Sequence, residues 1–380
     1  MPGFPKNLNA KLQQRQEDGS LRSLYQQEDL VDFSSNDYLG FAGREEQPGP
    51  PLPAGSSGSR LISGNHELYS RAEAVVRDFH RAEASLIFNS GYDANLGLLS
   101  AILQRGDYIF YDQYVHASIR DGIRLGSARA YKYAHNDLDS LKEKIRQVLN
   151  ENTPPDGEVY VITESVFSME GDGPDLKALG AFCREHHYRL IVDEAHAAGI
   201  LGPQGRGAVA GQEWQDLVFA RLVTFGKSLG CHGAAVLGSA MLREYLINFS
   251  RSLIYTTALP PANLMAILKA YEMMLGEPGE AARKSLFKNM RLFDTVVADL
   301  GLSEHMVPAR AAVRCCEIGG NSKVKELSGE LRKAGYDVKP ILSPTVPRGR
   351  ECLRFSLHAF NSESEIREVL TILAGLLKQN

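Results

Sequence analysis

Between residues 65 and 240 the sequence alternates stretches of helical periodicity with short runs that are apolar on both faces, and no other feature restricts the possible folds as much. The helical stretches repeat apolar residues every three or four positions, as at Leu138, Leu141 and Ile145. The short runs between them are SLIFNSG, DYIFYD, VYVITES, RLIVDEAH and RLVTFGK. Strands that are apolar on both faces are typical of a parallel sheet covered by helices on both sides. The sequence therefore predicts an α/β fold with a mostly parallel sheet.

The remaining segments predict an N-terminal arm and a smaller C-terminal domain. The first part of the chain is polar with scattered leucines, which is typical of an arm or helix that packs on something else. Helical periodicity resumes near Ala281, and the strand CLRFSLH precedes a last helix at 364–377. We therefore predict an arm at 1–50, a large domain at 51–279 and a smaller α+β domain at 280–380.

Composition excludes several classes of protein. The net charge of −4 is far from the basic excess of nucleic-acid-binding proteins, and no uncharged apolar run reaches the roughly 18–20 residues that span a bilayer. The N-terminus lacks the apolar core of a signal peptide. Five cysteines without a CxxC pattern indicate reduced thiols, and the adjacent histidine and cysteine pairs lack the spacing of metal ligands. We expect a cytoplasmic protein that binds no nucleic acid, membrane or metal.

Polar residues directly follow five of the predicted strands. In an open parallel sheet the carboxyl ends of the strands lie at one edge, where ligands bind. The residues are Ser90, Gly91 and Tyr92, Asp112 and His116, Glu164 and Ser168, Asp193 and His196, and Thr224 and Lys227. Their convergence predicts a functional site at that edge.

Two short motifs resemble those of nucleotide-hydrolysing enzymes, but their context argues against that function. DEAH at 193–196 matches an acidic box of helicases, and GKS at 226–228 matches the end of a phosphate-binding loop. That loop needs a glycine five positions before its second glycine, and Arg221 occupies this position. In those enzymes the phosphate-binding loop precedes the acidic box, whereas in this chain GKS follows DEAH.

The same residues suit chemistry based on pyridoxal phosphate (PLP). PLP needs a lysine for its aldehyde, an acid at its pyridine nitrogen and a phosphate cradle. Lys227 lies between glycines after a strand, and Asp193 ends an apolar strand, where a carboxylate would keep the ring protonated. The backbone amides of residues 90–92 precede a helix and would be donors for the phosphate. His196 could reach the other edge of the ring, and His116 could stack on its face.

Longer motifs resemble a known family, the α-oxoamine synthases, which are PLP enzymes of fold type I. The motifs run in order through nearly the whole chain: FSSNDYLG, SRLISGNHELY, TESVFSMEGD, VDEAHAAGILG, VTFGKSLGCHGAAVLGS, YTTALPP and SPTVPRG. The resemblance implies the PLP-dependent transferase fold, acyltransferase activity and a homodimer whose active sites are shared between subunits.

The resemblance also implies roles in cofactor binding and catalysis. Lys227 would form the Schiff base with PLP, Asp193 would bind the pyridinium nitrogen, and His196 would bind the phenolic oxygen. His116 would stack on the ring and assist the loss of carboxylate, so that Lys227, His116 and Asp193 are the implied catalytic residues. The other implied cofactor contacts are Ser168, Thr224, Gly91, Tyr92 and, from the partner subunit, Thr257 or Thr256 in YTTALPP.

Four residues are assigned to the substrates by the same resemblance. Arg354 would bind the amino-acid carboxylate, for which a guanidinium is suited by its bidentate contacts. Asn36 would line the substrate site, and Arg22 and Thr345 would contact the acyl group. The chain departs from many relatives at Leu342, where they have an arginine, so a positive charge near the acyl end is missing.

Within the family, the motifs match best the branch that condenses L-alanine with a pimeloyl thioester in biotin biosynthesis. The acyl donor could be pimeloyl-coenzyme A or a pimeloyl-acyl carrier protein. Branches that use glycine or L-serine remain alternatives, as does an aminotransferase with the same fold. A non-catalytic scaffold is disfavoured because Lys227, Asp193, His196 and His116 are all present.

Overall fold

The computed structural model describes residues 3–24, 29–44, 51–149 and 157–379. Its α-helices are α1 Lys6–Glu17, α2 Glu67–Phe79, α3 Gly91–Ile102, α4 Ala117–Leu125, α5 Leu138–Val148, α6 Leu176–Glu185, α7 Ala240–Phe249, α8 Arg251–Ile254, α9 Pro261–Leu275, α10 Glu277–Asp299, α11 Asn321–Lys333 and α12 Glu363–Gln379. Its strands are β1 Val31–Asp32, β2 Ala84–Phe88, β3 Tyr108–Asp112, β4 Arg129–Tyr133, β5 Val159–Glu164, β6 Arg189–Asp193, β7 Val218–Thr224, β8 Ala234–Gly238, β9 Val313–Glu317, β10 Tyr336–Asp337, β11 Lys339–Ile341 and β12 Cys352–Ser356. Over these described residues, no helix combines the length and apolar character needed to cross a membrane.

The chain forms two compact units. The larger unit contains residues 36–168 and 172–284, and the smaller contains residues 1–35, 169–171 and 285–380. The smaller unit thus combines the start of the chain with its end. The domain boundaries predicted at 50/51 and 279/280 stay predictions.

A seven-stranded sheet organises the described part of the large unit, with the strand order β2-β8-β7-β6-β5-β3-β4. The pairs from β4 through β7 are parallel. β8 pairs antiparallel with both of its neighbours, β2 and β7. The predicted α/β fold with a mostly parallel sheet is therefore confirmed.

The two faces of this sheet are buried in separate hydrophobic clusters, because successive side chains of a strand point to opposite faces. Ile109 and Ile162 pack in one cluster with residues of α3 and α4. Phe110 and Val161 pack in the other cluster with residues of α5 and α6. Helices on both faces explain why these strands are apolar throughout.

The smaller unit contains the three-stranded antiparallel sheet β11-β12-β9. Its middle strand, β12, is the strand that the alternation in CLRFSLH predicts, and the structure buries both of its faces, including Arg354 and Ser356. β1 pairs in parallel with β10. The arm contains α1, in which no residue is buried and both Leu8 and Leu12 are exposed.

His135 joins two acidic residues of the large unit. Its Nδ1 lies 2.9 Å from Asp112 Oδ1 and its Nε2 lies 3.1 Å from Asp172 Oδ2. Desolvation by burial opposes protonation, but the hydrogen bonds to Asp112 and Asp172 outweigh it and raise the pKa of His135 to about 9. The folded chain therefore favours the imidazolium.

This ion pair predicts a pH-dependent contribution to stability. Because the folded pKa of His135 exceeds the usual 6.5, the contribution is complete below pH 6.5 and is lost as the pH rises through 9. We expect His135→Gln to lower the free energy of unfolding at pH 6 by at most about 3 kcal/mol, and by much less at pH 10. Urea unfolding at both pH values measures this, with His186→Gln as a control on an exposed histidine. Equal losses at the two pH values would contradict the account.

Candidate active site

Side chains at and after the carboxyl ends of the parallel strands line one cavity of about 250 Å³ in the large unit. Eight residues with a predicted role toward cofactor or substrate line it, namely Asn36, Gly91, Tyr92, His116, Asp193, His196, Thr224 and Lys227. Ser90 and Glu164, which were also predicted at this edge of the sheet, line it too. Asn95 and Ser118 line the same cavity, and neither was predicted there.

Lys227 lies in the loop that joins β7 to β8. The backbone N–H of Cys231 donates to the carbonyl oxygen of Phe225 at 2.7 Å and closes this loop. Gly230 has φ of +61°, and a Cβ there would lie 2.2 Å from the backbone nitrogen of Ala42, so the turn requires glycine. Lys227 itself is half-buried, as is expected of a nucleophilic lysine.

Asp193 ends β6 and is 5% exposed. Its Oδ2 accepts a hydrogen bond from Asn95 Nδ2 at 2.8 Å, and its Oδ1 accepts from the backbone N–H of Ala195 at 2.9 Å. The next residue, Glu194, is instead paired with the buried Arg221 at 3.4 Å. The two acids of the DEAH segment therefore have different partners, and of the two Asp193 lines the cavity.

Glu164, at the end of β5, is in register with Asp193 on the neighbouring strand. Its Oε1 accepts a hydrogen bond from the backbone N–H of His116 at 2.6 Å. Burial raises the pKa of Glu164 well above its usual range, and the negative charge of Asp193 raises it further. Glu164 is therefore favoured in its protonated form.

His116 precedes α4 and caps its N-terminus. Its Nδ1 accepts a hydrogen bond from the backbone N–H of Ser118 at 3.2 Å and lies 2.8 Å from Ser118 Oγ. Desolvation lowers the pKa of His116, with Lys227 acting in the same direction and Asp193 in the opposite one. Its side chain is thus favoured in the neutral form.

His196 is held by an aromatic hydroxyl that the sequence did not mark as functional. Tyr38 is fully buried, and its hydroxyl oxygen lies 2.7 Å from His196 Nδ1. The same hydroxyl donates to Asn36 Oδ1 at 3.0 Å. Tyr38 therefore connects two predicted site residues, Asn36 and His196, although it belongs to the FSSNDYLG motif for which no such role was inferred.

The start of α3 forms a cradle that suits a phosphate. The backbone N–H groups of Gly91 and Tyr92 belong to the first turn of this helix, where the donors have no intrahelical acceptor. A Cβ on residue 91 would lie 2.6 Å from Thr224 Cγ2, so only glycine leaves the backbone accessible here. With Lys227 and Asp193 in the same cavity, the residues present fit PLP.

The remaining predicted cofactor contacts lie in the large unit outside the described lining of this cavity. Ser168 is half-buried and follows β5 by four residues. Thr256 Oγ1 accepts from Asn89 Nδ2 at 3.2 Å, and the Thr257 carbonyl oxygen accepts from the same group at 2.8 Å. The side chain of Thr257 is exposed. Their roles toward the cofactor stay predictions.

Three of the four residues predicted for the substrates lie in the smaller unit. Arg22 Nη2 donates to Thr345 Oγ1 at 3.3 Å, so the two residues predicted for the acyl group are in contact. Arg354 is 5% exposed in β12, and its Nη1 donates to Ser356 Oγ at 3.1 Å. The structure thus gives each arginine a hydroxyl partner, and their roles stay predictions.

The close approach of Gly91 to Thr224 predicts a loss of PLP affinity that a second substitution should reverse. We expect Gly91→Ala to weaken PLP binding by about 10-fold or more, because the new methyl group and Thr224 Cγ2 cannot both keep their positions. Thr224→Ser removes Cγ2 and keeps the hydroxyl, so the double variant should regain most of the affinity. The dissociation constant of PLP, measured by absorbance, checks both. Failure of Thr224→Ser to restore binding would show that this clash is not the cause.

Comparisons of sequence and of structure with known proteins agree on the family of this chain. The family model described as aminotransferase class I and II matches residues 28–373. A putative 8-amino-7-oxononanoate synthase from Geobacillus kaustophilus (strain HTA426) is 38% identical over 353 residues, which cover 91% of this chain and 88% of that protein.

Two solved structures show the same fold. The 8-amino-7-oxononanoate synthase of Francisella tularensis has a TM-score of 0.75 at 28% identity, covering 92% of this chain and 98% of the other. A serine palmitoyltransferase from S. paucimobilis, with a PLP–myriocin aldimine bound, has a TM-score of 0.87 at 24% identity, covering 98% and 97%. The chain belongs to the aminotransferase class I and II family, as a PLP-dependent, acyl-transferring enzyme of fold type I in the α-oxoamine synthase group.

Proposed function

We propose that this enzyme condenses L-alanine with a pimeloyl thioester to form 8-amino-7-oxononanoate for biotin biosynthesis, with release of the thiol from the thioester and loss of the amino-acid carboxylate as carbon dioxide. One observation carries the proposal. Lys227, Asp193, His196 and His116 line a single cavity in a chain that is 38% identical to a protein named for that product.

The cavity contains residues for each part of the cofactor. Lys227 would hold PLP covalently, Asp193 would bind its ring nitrogen, and His196 its phenolic oxygen. The phosphate would be bound by the amides of Gly91 and Tyr92, and the hydroxyl group of Thr224 would complete the set within the cavity. Ser168, outside its described lining, would add a further hydrogen bond to the cofactor. PLP, when bound, supplies an electron sink for negative charge at the substrate Cα.

The side chains of the protein perform the proton transfers and hold the substrates. The Lys227 amine acts as the base that removes the Cα proton of L-alanine. His116, which is favoured in its neutral form, donates a hydrogen bond to the carboxylate that is lost. Arg354 binds this carboxylate before the reaction, and Asn36 lines the amino-acid site.

The proposal also covers the acyl donor and the oligomeric state of the enzyme. Arg22 and Thr345 would contact the pimeloyl chain, a role that their mutual hydrogen bond supports. The enzyme would be a homodimer with shared active sites, in which the exposed Thr257 would reach the cofactor of the partner subunit. The donor is a pimeloyl group on coenzyme A or on an acyl carrier protein. Reduced cysteines support a cytoplasmic location.

Substrate preference tests the proposal directly. The PLP-loaded enzyme should form product from L-alanine and pimeloyl-coenzyme A or pimeloyl-acyl carrier protein with a kcat/KM at least about 10-fold above that for glycine or L-serine, a preference of the size that one missing methyl group or one added hydroxyl group can confer. Mass spectrometry of the product measures it. Lys227→Ala should abolish turnover, and Lys142→Ala, at a partly exposed lysine of α5, should not change it. A preference for glycine or L-serine would move the enzyme to another branch of the family.

Asp193 should control rate more than cofactor binding. An asparagine keeps the size of the side chain and can still accept from Asn95, but it lacks the charge that keeps the pyridine ring protonated. We expect Asp193→Asn to retain PLP and to lower kcat by ~100-fold or more. Asp216→Asn, at an exposed aspartate of the same unit, serves as the matched control. An unchanged rate in Asp193→Asn would mean that ring protonation is controlled elsewhere.

A further inference from the structure

Two buried polar residues connect Asp193 with His116. Asn95 lies on α3 and is 2% exposed, and Ser118 lies on α4 and is 1% exposed. Asn95 Nδ2 donates to Asp193 Oδ2 at 2.8 Å and to Ser118 Oγ at 3.0 Å. Ser118 Oγ lies 2.8 Å from His116 Nδ1. The result is a continuous chain of hydrogen bonds from one predicted catalytic residue to another.

The direction of each hydrogen bond follows from counting donors. The side-chain amide of Asn95 has two N–H groups, and its two contacts use both. A carboxylate can only accept, so Asp193 fixes which end of the Asn95 amide faces it. Ser118 Oγ therefore accepts from Asn95, and its own O–H is left to donate to His116.

The same count determines the tautomer of His116. The backbone N–H of Ser118 also points at His116 Nδ1, at 3.2 Å, and an N–H can only donate. Nδ1 thus receives two donors and cannot carry a proton itself. In a neutral imidazole the proton must then lie on Nε2.

We infer that Asn95 and Ser118 are positioning residues that hold His116 as its Nε2–H tautomer. The inference deepens the proposed function and rests on it for the chemical consequence. An imidazole held in this tautomer presents a donor at Nε2, which suits an oxygen acceptor such as the carboxylate of the amino acid. The opposite tautomer would present a lone pair there and would repel the same oxygen.

The chain of hydrogen bonds also sets the orientation of the ring. Two hydrogen bonds at Nδ1 restrict rotation about the bond that carries the imidazole, and the Glu164 carboxyl group holds the backbone N–H of His116 at 2.6 Å. Because Asn95 bonds to Asp193 as well, the acid and the imidazole are held at a fixed separation. The two residues that face the cofactor site are therefore positioned as one unit.

The test combines a spectroscopic measurement with kinetics. In holoenzyme labelled with ¹⁵N-histidine, two-bond ¹H–¹⁵N spectra distinguish the two tautomers, and comparison with His116→Gln assigns the signals of His116. We expect the Nε2–H pattern at pH 7.5. A proton on Nδ1, or on both nitrogens, would overturn the inference.

Substitutions then test the two positioning residues. Ser118→Ala removes the O–H donor at 2.8 Å and leaves only the backbone N–H at 3.2 Å facing Nδ1, so the Nδ1–H tautomer should become detectable beside the Nε2–H form, with kcat/KM lower by about 10-fold and PLP affinity within about twofold of the native value. Asn95→Ala should shift the spectrum in the same direction, and the double variant should shift it no further than Ser118→Ala alone, because Asn95 reaches His116 through Ser118. Ser100→Ala, at a half-buried serine of α3, is the matched control.

The spectroscopic result separates this inference from the proposed function. An Nε2–H pattern that Ser118→Ala shifts supports the positioning role even if L-alanine proves not to be the substrate. Native spectra in Ser118→Ala would overturn it, whatever the substrate.

Discussion

Parallel pairing of β3, β5, β6 and β7 is the constraint on which the rest of the site depends. The carboxyl ends of parallel strands lie at the same edge of a sheet. Strand pairing alone therefore brings together residues that are far apart in the sequence. His116, Glu164, Asp193 and Lys227 each follow or end one of these strands. Helices packed on both faces keep the strands in place.

The charges at this edge are arranged so that neighbouring groups differ in protonation. Asp193 and Glu164 are in register on neighbouring strands, and burial together with the negative charge of Asp193 raises the pKa of Glu164 well above its usual range. Desolvation favours neutral His116. Hydrogen bonds to Asn95 and Ala195 hold the Asp193 carboxylate. A cationic ring bound in this cavity would thus meet one fixed carboxylate, a protonated acid and a neutral imidazole.

The sequence predicts well which strands end at this site, and less well which other side chains form hydrogen bonds to the site residues. Apolar runs followed by polar residues indicated which strands end at the site, because parallel pairing makes strand ends meet. Asn95 and Ser118 gave no such signal, since they lie within helical segments where a polar residue is ordinarily solvated. Tyr38 was hidden for a similar reason, because its burial and its contact with His196 depend on packing between residues 158 positions apart.

The alternation in CLRFSLH shows a second limit of the sequence. It indicated a strand, but alternation alone does not reveal that β12 lies between two other strands and is buried on both faces. The roles of Arg354, Arg22 and Thr345 were inferred from family resemblance, because the residues around them form no motif that by itself indicates a substrate site. The structure adds one hydrogen bond for each arginine, from Arg354 to the Ser356 hydroxyl group and from Arg22 to the Thr345 hydroxyl group.

The account depends most on the claim that the cavity around Lys227 and Asp193 binds PLP and then an amino acid. The most direct measurement is the visible spectrum of the PLP-loaded protein during separate titrations with L-alanine, glycine and L-serine. The account predicts a cofactor band in the native protein that shifts saturably at the lowest concentration with L-alanine, and no such band in Lys227→Ala. A native protein that shows no cofactor band after addition of PLP would contradict it.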